Sequence, residues 1–553
     1  MSVRNGFVLL LALSALTFLV ACGGNSSGVS NPTPPPSGGF TNANLNGTYV
    51  FSVSGVDGSD GPYAIAGTLT ADGSGGNGKG NISAGTIDIN DPSGLTAPAA
   101  GVSINSGGFY SISVDGRGQI TIGLSSNISG FPNLTFDFVL QDTNHGLVTE
   151  FDTFGTGSGT IDLQAAGVTP TGSYAFSLSG ASGTTAWATA GNFTLTGSAL
   201  AGLDDLNEGG VSILPSQALS GSLVLASSSG PATTLTVPGF SGTFDAFAID
   251  ATHLKLIEMD TIATLSGDAF SQTSTDFPTG TLAFTLEGET LSGFFAGGGI
   301  MTTTGTAISG SEDYNQNGSP SSASAPPPFT ATSTAGGTGR FTLGGFSSSF
   351  VGGTSYAAYP SAGGLLLLEI DGTGITTGAA YSQSASATLA ASEGYGLNLA
   401  GLYLGANTQG QATEVDDIAE FTANSSGSTI TGVIDENSFL EGAATFSAPF
   451  VNNSSTSSTY TTPTGGRGQI AASVGTSSND TTLNGGFLLT YYTVDGTTFP
   501  FIESDSGQVS AGVFVQQDPS ASASAARPAM FVVQPLFRPH AFAKKRKQTK
   551  LTN

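Results

Sequence analysis

Apolar and polar residues alternate over short stretches of this chain. In GTYVFSVSG, residues 47–55, the large side chains Tyr49, Phe51 and Val53 are separated by smaller or polar ones. Successive side chains of a β-strand point to opposite faces, so these three would share one face. The alternation returns in GSYAFSLSG, residues 172–180, and the body of the chain has no sustained helical periodicity. The pattern therefore predicts half-buried β-strands.

Eight strand-like runs follow one another at the start of the body, mostly separated by Gly, Asp, Asn or Ser. They are GTYVFSVSG, YAIAGTLTAD, GNISAGTIDIN, GFYSISVDG, GQITIGLSS, LTFDFVLQD, GLVTEFD and GSGTIDLQ. Short consecutive strands without a crossover helix predict an antiparallel meander, and closure into a barrel would remove its exposed edges. A β-sandwich of the same strands is the alternative.

Three sequence marks recur four times. The first is GTYVFSVSG, which returns as GSYAFSLSG, GTLAFTLEG and, more loosely, EGYGLNLAG. The second is ISAGTIDIN, followed by LAGLDDLN, ISGSEDYN and ITGVIDEN. The third has identical spacing in each copy and consists of Glu150, Asp152 and Gln164; Glu258, Asp260 and Gln272; Glu369, Asp371 and Gln383; and Glu503, Asp505 and Gln517. The marks predict a tandem array of four β units.

The marks and the composition set the predicted boundaries. These are a lipoprotein signal peptide at 1–21, a Gly/Ser/Pro tether at 22–44, β repeats at 45–165, 170–273, 278–384 and 393–517, and a disordered basic tail at 518–553. The units are predicted to be four eight-stranded antiparallel barrels, and because repeats two and three are shorter, incomplete barrels are the alternative there. The Pro- and Ser-rich stretch 319–337 is predicted to be an inserted flexible loop.

Two resemblances support this organisation. Each unit resembles a calycin-like barrel of the lipocalin and avidin kind in size and strand number, although GTY stands where lipocalins carry GxW. Across residues 45–517 the chain resembles uncharacterised bacterial envelope lipoproteins with tandem GxYxFxxxG, DGxGxISxGxxDxN and ExD motifs. The match is strongest at ADGSGGNGKGNISAGTIDIN. This resemblance implies a repeated β architecture and an envelope location, and it transfers no catalytic residue.

The start of the chain has the pattern of a secretory signal. One basic residue, Arg4, precedes an apolar run from Phe7 to Val20 that is too short for a stable transmembrane span. The sequence LVAC resembles a lipobox, which implies that Cys22 becomes the acylated first residue of a lipid-anchored protein. Gly23, rather than Asp, follows it, and this favours the outer membrane, at its periplasmic or surface-exposed face.

Charge excludes one class of function. The chain has 13 basic and 39 acidic residues, and most basic ones lie near its end. The body keeps Lys79, Arg117, Lys255, Arg340 and Arg467, so its formal charge is near −33. Without a basic surface to displace counterions from phosphates, we expect no nucleic-acid partner. The terminal AKKRKQTKLTN is predicted to be a solvated tail, with contact to anionic lipid or polysaccharide as the alternative.

The sequence predicts no enzymatic activity and no catalytic residues. It contains no nucleophile elbow, HExxH or phosphate loop. His145 and His253 share one position in two copies only, which is typical of polar turn residues. The recurring Glu and Asp lie two residues apart, so on a strand they would share a face and be separated by roughly 7 Å. A retaining glycosidase needs two carboxyl groups about 5 Å apart across a substrate cleft.

Calcium is the one cofactor that the sequence suggests. Asp88, Asn90, Glu150 and Asp152 would supply hard oxygen ligands if their strands adjoin. The alternative, which we favour, is structural: Asp and Asn satisfy turn amides, while Glu pairs with an arginine or a backbone group.

Together these features predict a lipid-anchored, non-enzymatic envelope protein with a binding, adhesion or structural role. Its expected partner is the membrane, through the lipid. A small-molecule or glycan carrier that uses the barrel interiors is the alternative, and a hydrolase is a third hypothesis.

Overall fold

The structure, a computed structural model, describes residues 39–521 apart from 60, 106, 129–130, 227–231, 322–324, 406–411, 426–427, 439–443, 453–455 and 476–485. Cys22, the predicted signal peptide and nearly all of the basic tail lie outside these residues. The described chain is all β, with short 3-10 helices at Asn42–Asn44 and Gly76–Gly78. No helix in it is long and apolar enough to cross a membrane.

The strands fall into four consecutive groups. Barrel 1 has β1 (Asn46–Asp57), β2 (Pro62–Asp72), β3 (Gly80–Asn90), β4 (Ala99–Ser103), β5 (Gly108–Ile112), β6 (Arg117–Ile128), β7 (Phe131–Leu140), β8 (His145–Glu150) and β9 (Gly155–Leu163). Barrel 2 has β10 (Gly172–Ser182), β11 (Thr185–Thr196), β12 (Ala199–Glu208), β13 (Ser212–Ser222), β14 (Thr233–Val237), β15 (Phe240–Ala248), β16 (His253–Glu258) and β17 (Thr264–Ser271).

Barrels 3 and 4 repeat the pattern. Barrel 3 has β18 (Gly280–Thr290), β19 (Gly293–Thr304), β20 (Ala307–Gln316), β21 (Ser319–Pro320), β22 (Pro328–Gly337), β23 (Arg340–Gly344), β24 (Ser355–Ser361), β25 (Gly364–Glu369) and β26 (Gly374–Ser382). Barrel 4 has β27 (Gly394–Tyr403), β28 (Thr413–Asn424), β29 (Thr429–Ser438), β30 (Ala444–Pro449), β31 (Thr459–Tyr460), β32 (Arg467–Ala472), β33 (Phe487–Tyr492), β34 (Thr498–Glu503) and β35 (Gln508–Gln516).

Each group closes into an eight-stranded antiparallel barrel, as predicted. In barrel 2, strands β10 to β17 follow one another around the circle and β17 pairs with β10. Barrels 1, 3 and 4 close in the same way, and each adds one short strand outside the circle, namely β4, β21 and β30. The sandwich alternative does not form, because the first strand of each group pairs with the last and so closes the circle of strands.

One sequence-based alternative does not form, and one expectation was wrong. The shorter repeats, two and three, form complete barrels rather than incomplete ones. The stretch 319–337 is not simply an inserted loop, because it contains β22, which pairs with β20 and β23. Phe329, Ala331 and Ser333 are buried alternately along it. This period of two outweighs the Pro- and Ser-rich composition that suggested a loop.

The barrel interiors are filled by large side chains. Tyr49 and Phe51 lie in one interior cluster with Phe136, whose ring centre is 5.7 Å from that of Phe51. In barrel 4, Phe499 and Phe514 stack with their ring centres 4.9 Å apart. The carrier hypothesis needed an open interior, and this packing contradicts it.

The outer walls also pack against one another. Shared apolar clusters join barrels 1 and 2 (Val50, Ala66, Phe247, Met259), 2 and 3 (Ala188, Ala190, Leu366, Leu368), 3 and 4 (Ala296, Ile502, Val509) and 4 and 1 (Ile418, Val513, Val139, Leu147). Since the last cluster joins the fourth barrel to the first, the array closes into a ring. Strands such as β1 and β27 are therefore buried on both faces rather than on one.

Candidate functional site

The asparagine that ends the second mark reaches across to the next barrel. Asn90 of barrel 1 donates from Nδ2 to the carbonyl oxygens of Glu258 (2.8 Å) and Ala263 (3.0 Å) in barrel 2. The equivalent contacts are Asn207 to Glu369 and Gly374, Asn315 to Glu503, Asp505 and Gln508, and Asn437 to Glu150, Asp152 and Gly155. These asparagines therefore link the barrels in the order 1, 2, 3, 4 and back to 1.

The glutamine of the third mark makes a second link in the same direction. Gln517 donates to the carbonyl oxygens of Asp115 (2.8 Å) and Leu140 (2.9 Å), and so joins barrel 4 to barrel 1. The equivalent contacts are Gln164 to Ala248, Gln272 to Gly339 and Pro360, and Gln383 to the Thr493 hydroxyl. Both amide side chains satisfy polar groups that the barrels bury where they meet.

The aspartate of the third mark serves the turn after its own strand. Asp152 accepts hydrogen bonds from the amides of Thr135 and Phe154, each at 2.7 Å. The equivalent pairs are Asp260 with Thr243 and Ile262, Asp371 with Ser355 and Thr373, and Asp505 with Leu488 and Gly507. Each of these carboxylates therefore ties together two neighbouring strands of one barrel.

The glutamate of the third mark is buried inside its barrel. The Tyr63 hydroxyl donates a hydrogen bond to the carboxyl of Glu150. The hydroxyls of Thr373 and Thr376 both donate to the carboxyl of Glu369 at 2.9 Å. Glu258 accepts from the Leu265 amide at 3.2 Å, and Glu503 from the Ser510 hydroxyl. Burial, followed by the charge of the neighbouring Asp, raises the pKa of Glu258 to about 9 and that of Glu369 to about 8. Glu258 and Glu369 are therefore neutral acids at pH 7.

The four residues of the calcium hypothesis are not brought together. Asp88 and Asn90 lie at the end of β3 and face barrel 2, whereas Glu150 ends β8 and Asp152 follows it. Asn437 of barrel 4 donates to the carbonyl oxygens of Glu150 and Asp152. The strands β5, β6 and β7 separate β3 from β8 on one side of the barrel wall. The described residues contain no group of three or more His, Cys, Asp or Glu placed to hold a metal ion.

Three arginines form ion pairs between barrels. Arg340 of barrel 3 binds Asp205 of barrel 2 through Nη2 (2.6 Å) and Nε (2.7 Å), and the Tyr359 hydroxyl donates to the same carboxylate. Arg467 binds Asp313 at 2.7 Å through each of two nitrogens, and Arg117 binds Asp435 at 3.2 Å. The acceptors are the aspartates of the second mark. Sequence reasoning missed this role, although a Gly-Arg pair recurs in three units.

The two histidines lie close to the one basic side chain of barrel 2. His145 binds Asp162 at 2.9 Å and His253 binds Asp268 at 2.7 Å. Lys255 lies 3.8 Å from Asp162 and 3.2 Å from Asp268, and so bridges barrels 1 and 2. Burial alone would raise the pKa of Asp162, but His145 and Lys255 hold it at about 2. This cluster is an ionic contact between barrels 1 and 2.

Cavities are present between barrels. One, of about 40 Å³, is lined by Ser158 of barrel 1, Glu287 and Tyr381 of barrel 3 and Asn398 of barrel 4. Another, of about 230 Å³, is lined by residues 90–92 and 95–98 of barrel 1 together with Ala181, Gly183 and residues 260–264 of barrel 2. The first has room for water only, while the second could admit a small ligand.

No family model matches the chain, and no curated protein matches it. Among solved structures, transferrin binding protein B from Haemophilus parasuis Hp5 is 7% identical over 68% of this chain and 83% of that chain, with a TM-score of 0.16. Intact Ap-TbpB is 8% identical over 69% of this chain and 86% of that chain, with a TM-score of 0.17. The protein from serogroup B Neisseria meningitidis is 9% identical over 68% of this chain and 84% of that chain, with a TM-score of 0.16. At these TM-scores the likeness carries no argument about this chain.

Proposed function

We propose that this chain is a lipid-anchored, non-enzymatic protein of the bacterial cell envelope, whose ring of barrels serves as a rigid binding, adhesion or structural scaffold. One observation carries the proposal: the polar residues that recur in all four units are used within the fold, the Asn and Gln between barrels and the Glu and Asp inside one barrel. Asn437 and its three counterparts reach carbonyl oxygens of the next barrel, and Glu150 and its counterparts are buried. A recurring catalytic site would instead present these groups to a substrate.

The placement of the chain ends supports an orientation for this scaffold. Asn44, near the start of the ring, donates to the carbonyl oxygen of Pro519 at 3.1 Å, and Thr143 donates to that of Ala521 at 3.1 Å. Thr143 precedes β8 and Asp152 follows it, so the two ends meet at the side of barrel 1 opposite the Asp152 turn. We propose that the chain enters and leaves the ring on this side, and that the turns of the third mark lie on the opposite side.

Anchoring is tested by replacing the acylated residue in the full chain, expressed in a Gram-negative host. We expect the natural chain to incorporate labelled palmitate and to stay with the membrane fraction after a carbonate wash. Cys22→Ser should lose both properties, because a single peptide tether without acyl chains has no stable membrane affinity. A Cys22→Ser chain that stays in the washed membranes would contradict lipid anchoring.

The absence of enzymatic activity is tested on the chain that starts at residue 23. We expect no hydrolysis of envelope polysaccharides, because the recurring glutamates lie inside packed barrels. Hydrolysis that disappears in Glu150→Gln but persists in Glu258→Gln, the same change in the next barrel, would overturn the proposal. The paired variant separates a catalytic loss from a general effect of removing a buried carboxyl group.

A further inference from the structure

The interface between barrels 1 and 2 differs from the other three in its charges. Asp205, Asp313 and Asp435 each meet an arginine of the following barrel. Barrel 2, which follows Asp88, contains no arginine in its sequence. Asp88 therefore occupies the position of a buried ion-pair acceptor without the cation that its counterparts have.

A second carboxyl group lies where the cation would be expected. Asp245, on β15, contacts Asp88, and the two side chains are 1% and 2% exposed. Asp88 accepts one hydrogen bond, from the Gly101 amide at 2.6 Å. Among the described residues, no donor is in hydrogen-bonding geometry with the other carboxyl oxygen of Asp88. The same holds for both carboxyl oxygens of Asp245, although the Ala232 amide lies near that side chain.

The same position in the other barrels shows what this pair lacks. In barrel 2, Asp245 lies two residues after Thr243, whose amide donates to Asp260 of the third mark. In barrel 1, Asp137 holds the same position, because it lies two residues after Thr135, whose amide donates to Asp152. Asp137 faces Asp435, but Arg117 binds Asp435 as well. The corresponding residues of barrels 3 and 4 are Ala357 and Thr490. Only the pair between barrels 1 and 2 has two carboxyl groups and no arginine.

Among the described residues, the groups around the pair supply no other compensating charge. The strands packed around the pair contribute apolar groups, which include Val50, Ala64, Ala66 and Ile257. Lys255 on β16 is held by Asp162 and Asp268, and Glu258 on the same strand is itself a neutral acid with a raised pKa. Two carboxyl groups in contact in an apolar environment cannot both be ionised, and a single proton between them removes the repulsion.

We propose that Asp88 and Asp245 share one proton, which takes the place of the missing arginine and holds barrel 1 against barrel 2, so that this interface loosens as pH rises. The inference is independent of the proposed envelope role. Burial and the neighbouring carboxyl group raise the pKa of Asp88 to about 8. A raised pKa in the folded state means that the stabilisation is present at low pH and is lost as pH rises through that value.

The test uses two matched cysteine variants of the chain that starts at residue 23, which lacks Cys22 and so has no native thiol. Ala66 on β2 pairs with Asp88, and Ala190 on β11 pairs with Asp205, the arginine-bound counterpart. Both alanines are buried in contacts with the next barrel, at 1% and 0% exposure. The rates at which Ala66→Cys and Ala190→Cys react with a thiol reagent are compared between pH 6.5 and 9.5.

We expect the ratio of the two rates to stay constant below pH 8 and to rise by up to about tenfold per pH unit above it, as for an opening linked to one proton. Because both variants react through a cysteine thiol, the ionisation of the thiol itself cancels in the ratio of the two rates. Asp245→Asn should remove the rise, because its amide can donate to an ionised Asp88. A ratio that stays flat to pH 9.5, or a rise that persists in Asp245→Asn, would overturn the proposal.

Two further measurements distinguish the shared proton from a bound metal ion and from an interface disturbed by the added cysteine. Chelation with EDTA at pH 6.5 should leave the rate for Ala66→Cys unchanged, and an increase would show a metal ion in place of the proton. Urea midpoints of chains without added cysteines give an independent reading if Ala66→Cys itself disturbs the interface. The urea midpoint of Asp245→Asn minus that of the unsubstituted chain should increase as pH rises from 6.5 to 9. A difference between the two midpoints that stays constant over this range would count against the shared proton.

Discussion

At the scale of single residues, most carboxyl groups of this acidic chain are buried. At least 24 of its 39 Asp and Glu side chains lie in barrel interiors or interfaces. Some are neutral acids, such as Glu369, and others are neutralised by arginine, such as Asp205. The formal charge of the body, near −33, therefore overstates the charge of its surface. Composition counts ionisable groups but does not show where they lie.

The asparagine links can be tested at the closure of the ring. Asn437→Ala removes the donor that serves Glu150, Asp152 and Gly155, and leaves their buried carbonyl oxygens unsatisfied. We expect a loss of about 2 kcal/mol or more in the free energy of unfolding, measured with urea. Asn424→Ala, at a partly exposed position of the same barrel, is the control and should cost under about 0.5 kcal/mol. Equal losses in the two variants would argue against the link.

The inter-barrel ion pairs make a second prediction. Arg340→Met leaves Asp205 buried without its guanidinium partner, and we expect this to cost about 3 to 5 kcal/mol of unfolding free energy. Adding Asp205→Leu should recover most of the loss, because the uncompensated charge is then gone. Calorimetric melting of the single and double variants measures both steps. A double variant as unstable as the sum of its single variants would contradict the pairing.

At the scale of elements, the alternation of residues was sufficient to predict the strands but not their surroundings. The eight runs predicted in the first unit correspond to β1, β2, β3 and β5 to β9, and only the short β4 was missed. A half-buried strand would leave its outward residues in water, and in β1 and β2 these include Ser52 and Ala66. They are buried, because small outward side chains allow two barrel walls to approach closely. In a single strand, small residues that pack against a neighbour are indistinguishable from small residues that face solvent.

Those small residues give a prediction for the walls. Ala190→Leu places extra volume in the contact between barrels 2 and 3, and overpacking of this kind costs about 1 to 3 kcal/mol. Ala201→Leu, on the neighbouring strand β12 and exposed, should leave the melting temperature nearly unchanged. The comparison is made by calorimetry. A similar effect at both positions would mean that the Ala190 wall is not covered.

At the scale of the whole molecule, the tandem order was predictable, but ring closure was not. The repeats revealed four units because identical spacing is visible in one dimension. The contacts of Asn437 with barrel 1 join residues nearly 290 positions apart, and no local pattern encodes them. The marks themselves were found, whereas their use between barrels depends on the three-dimensional arrangement.

The buried acids predict how stability changes with pH. Burial raises the pKa of Glu258 to about 9 and those of Asp137, Glu312 and Glu369 to about 8, well above their values in an unfolded chain. The folded state therefore binds more protons than the unfolded state between about pH 4 and pH 9. We expect the free energy of unfolding in urea to fall steadily from pH 5 to pH 9. A stability that increases over this range would contradict the neutral, buried acids.

Small-angle X-ray scattering of residues 39–521 tests the closed ring most directly. A compact fold of this length should have a radius of gyration of about 23 Å. Four barrels, each with a radius of gyration of roughly 14 Å and placed in an open line, would instead give a radius of gyration of about 34 Å. We predict the smaller value at pH 6.5. A value near the larger one would show that barrel 4 does not return to barrel 1, and would contradict the ring.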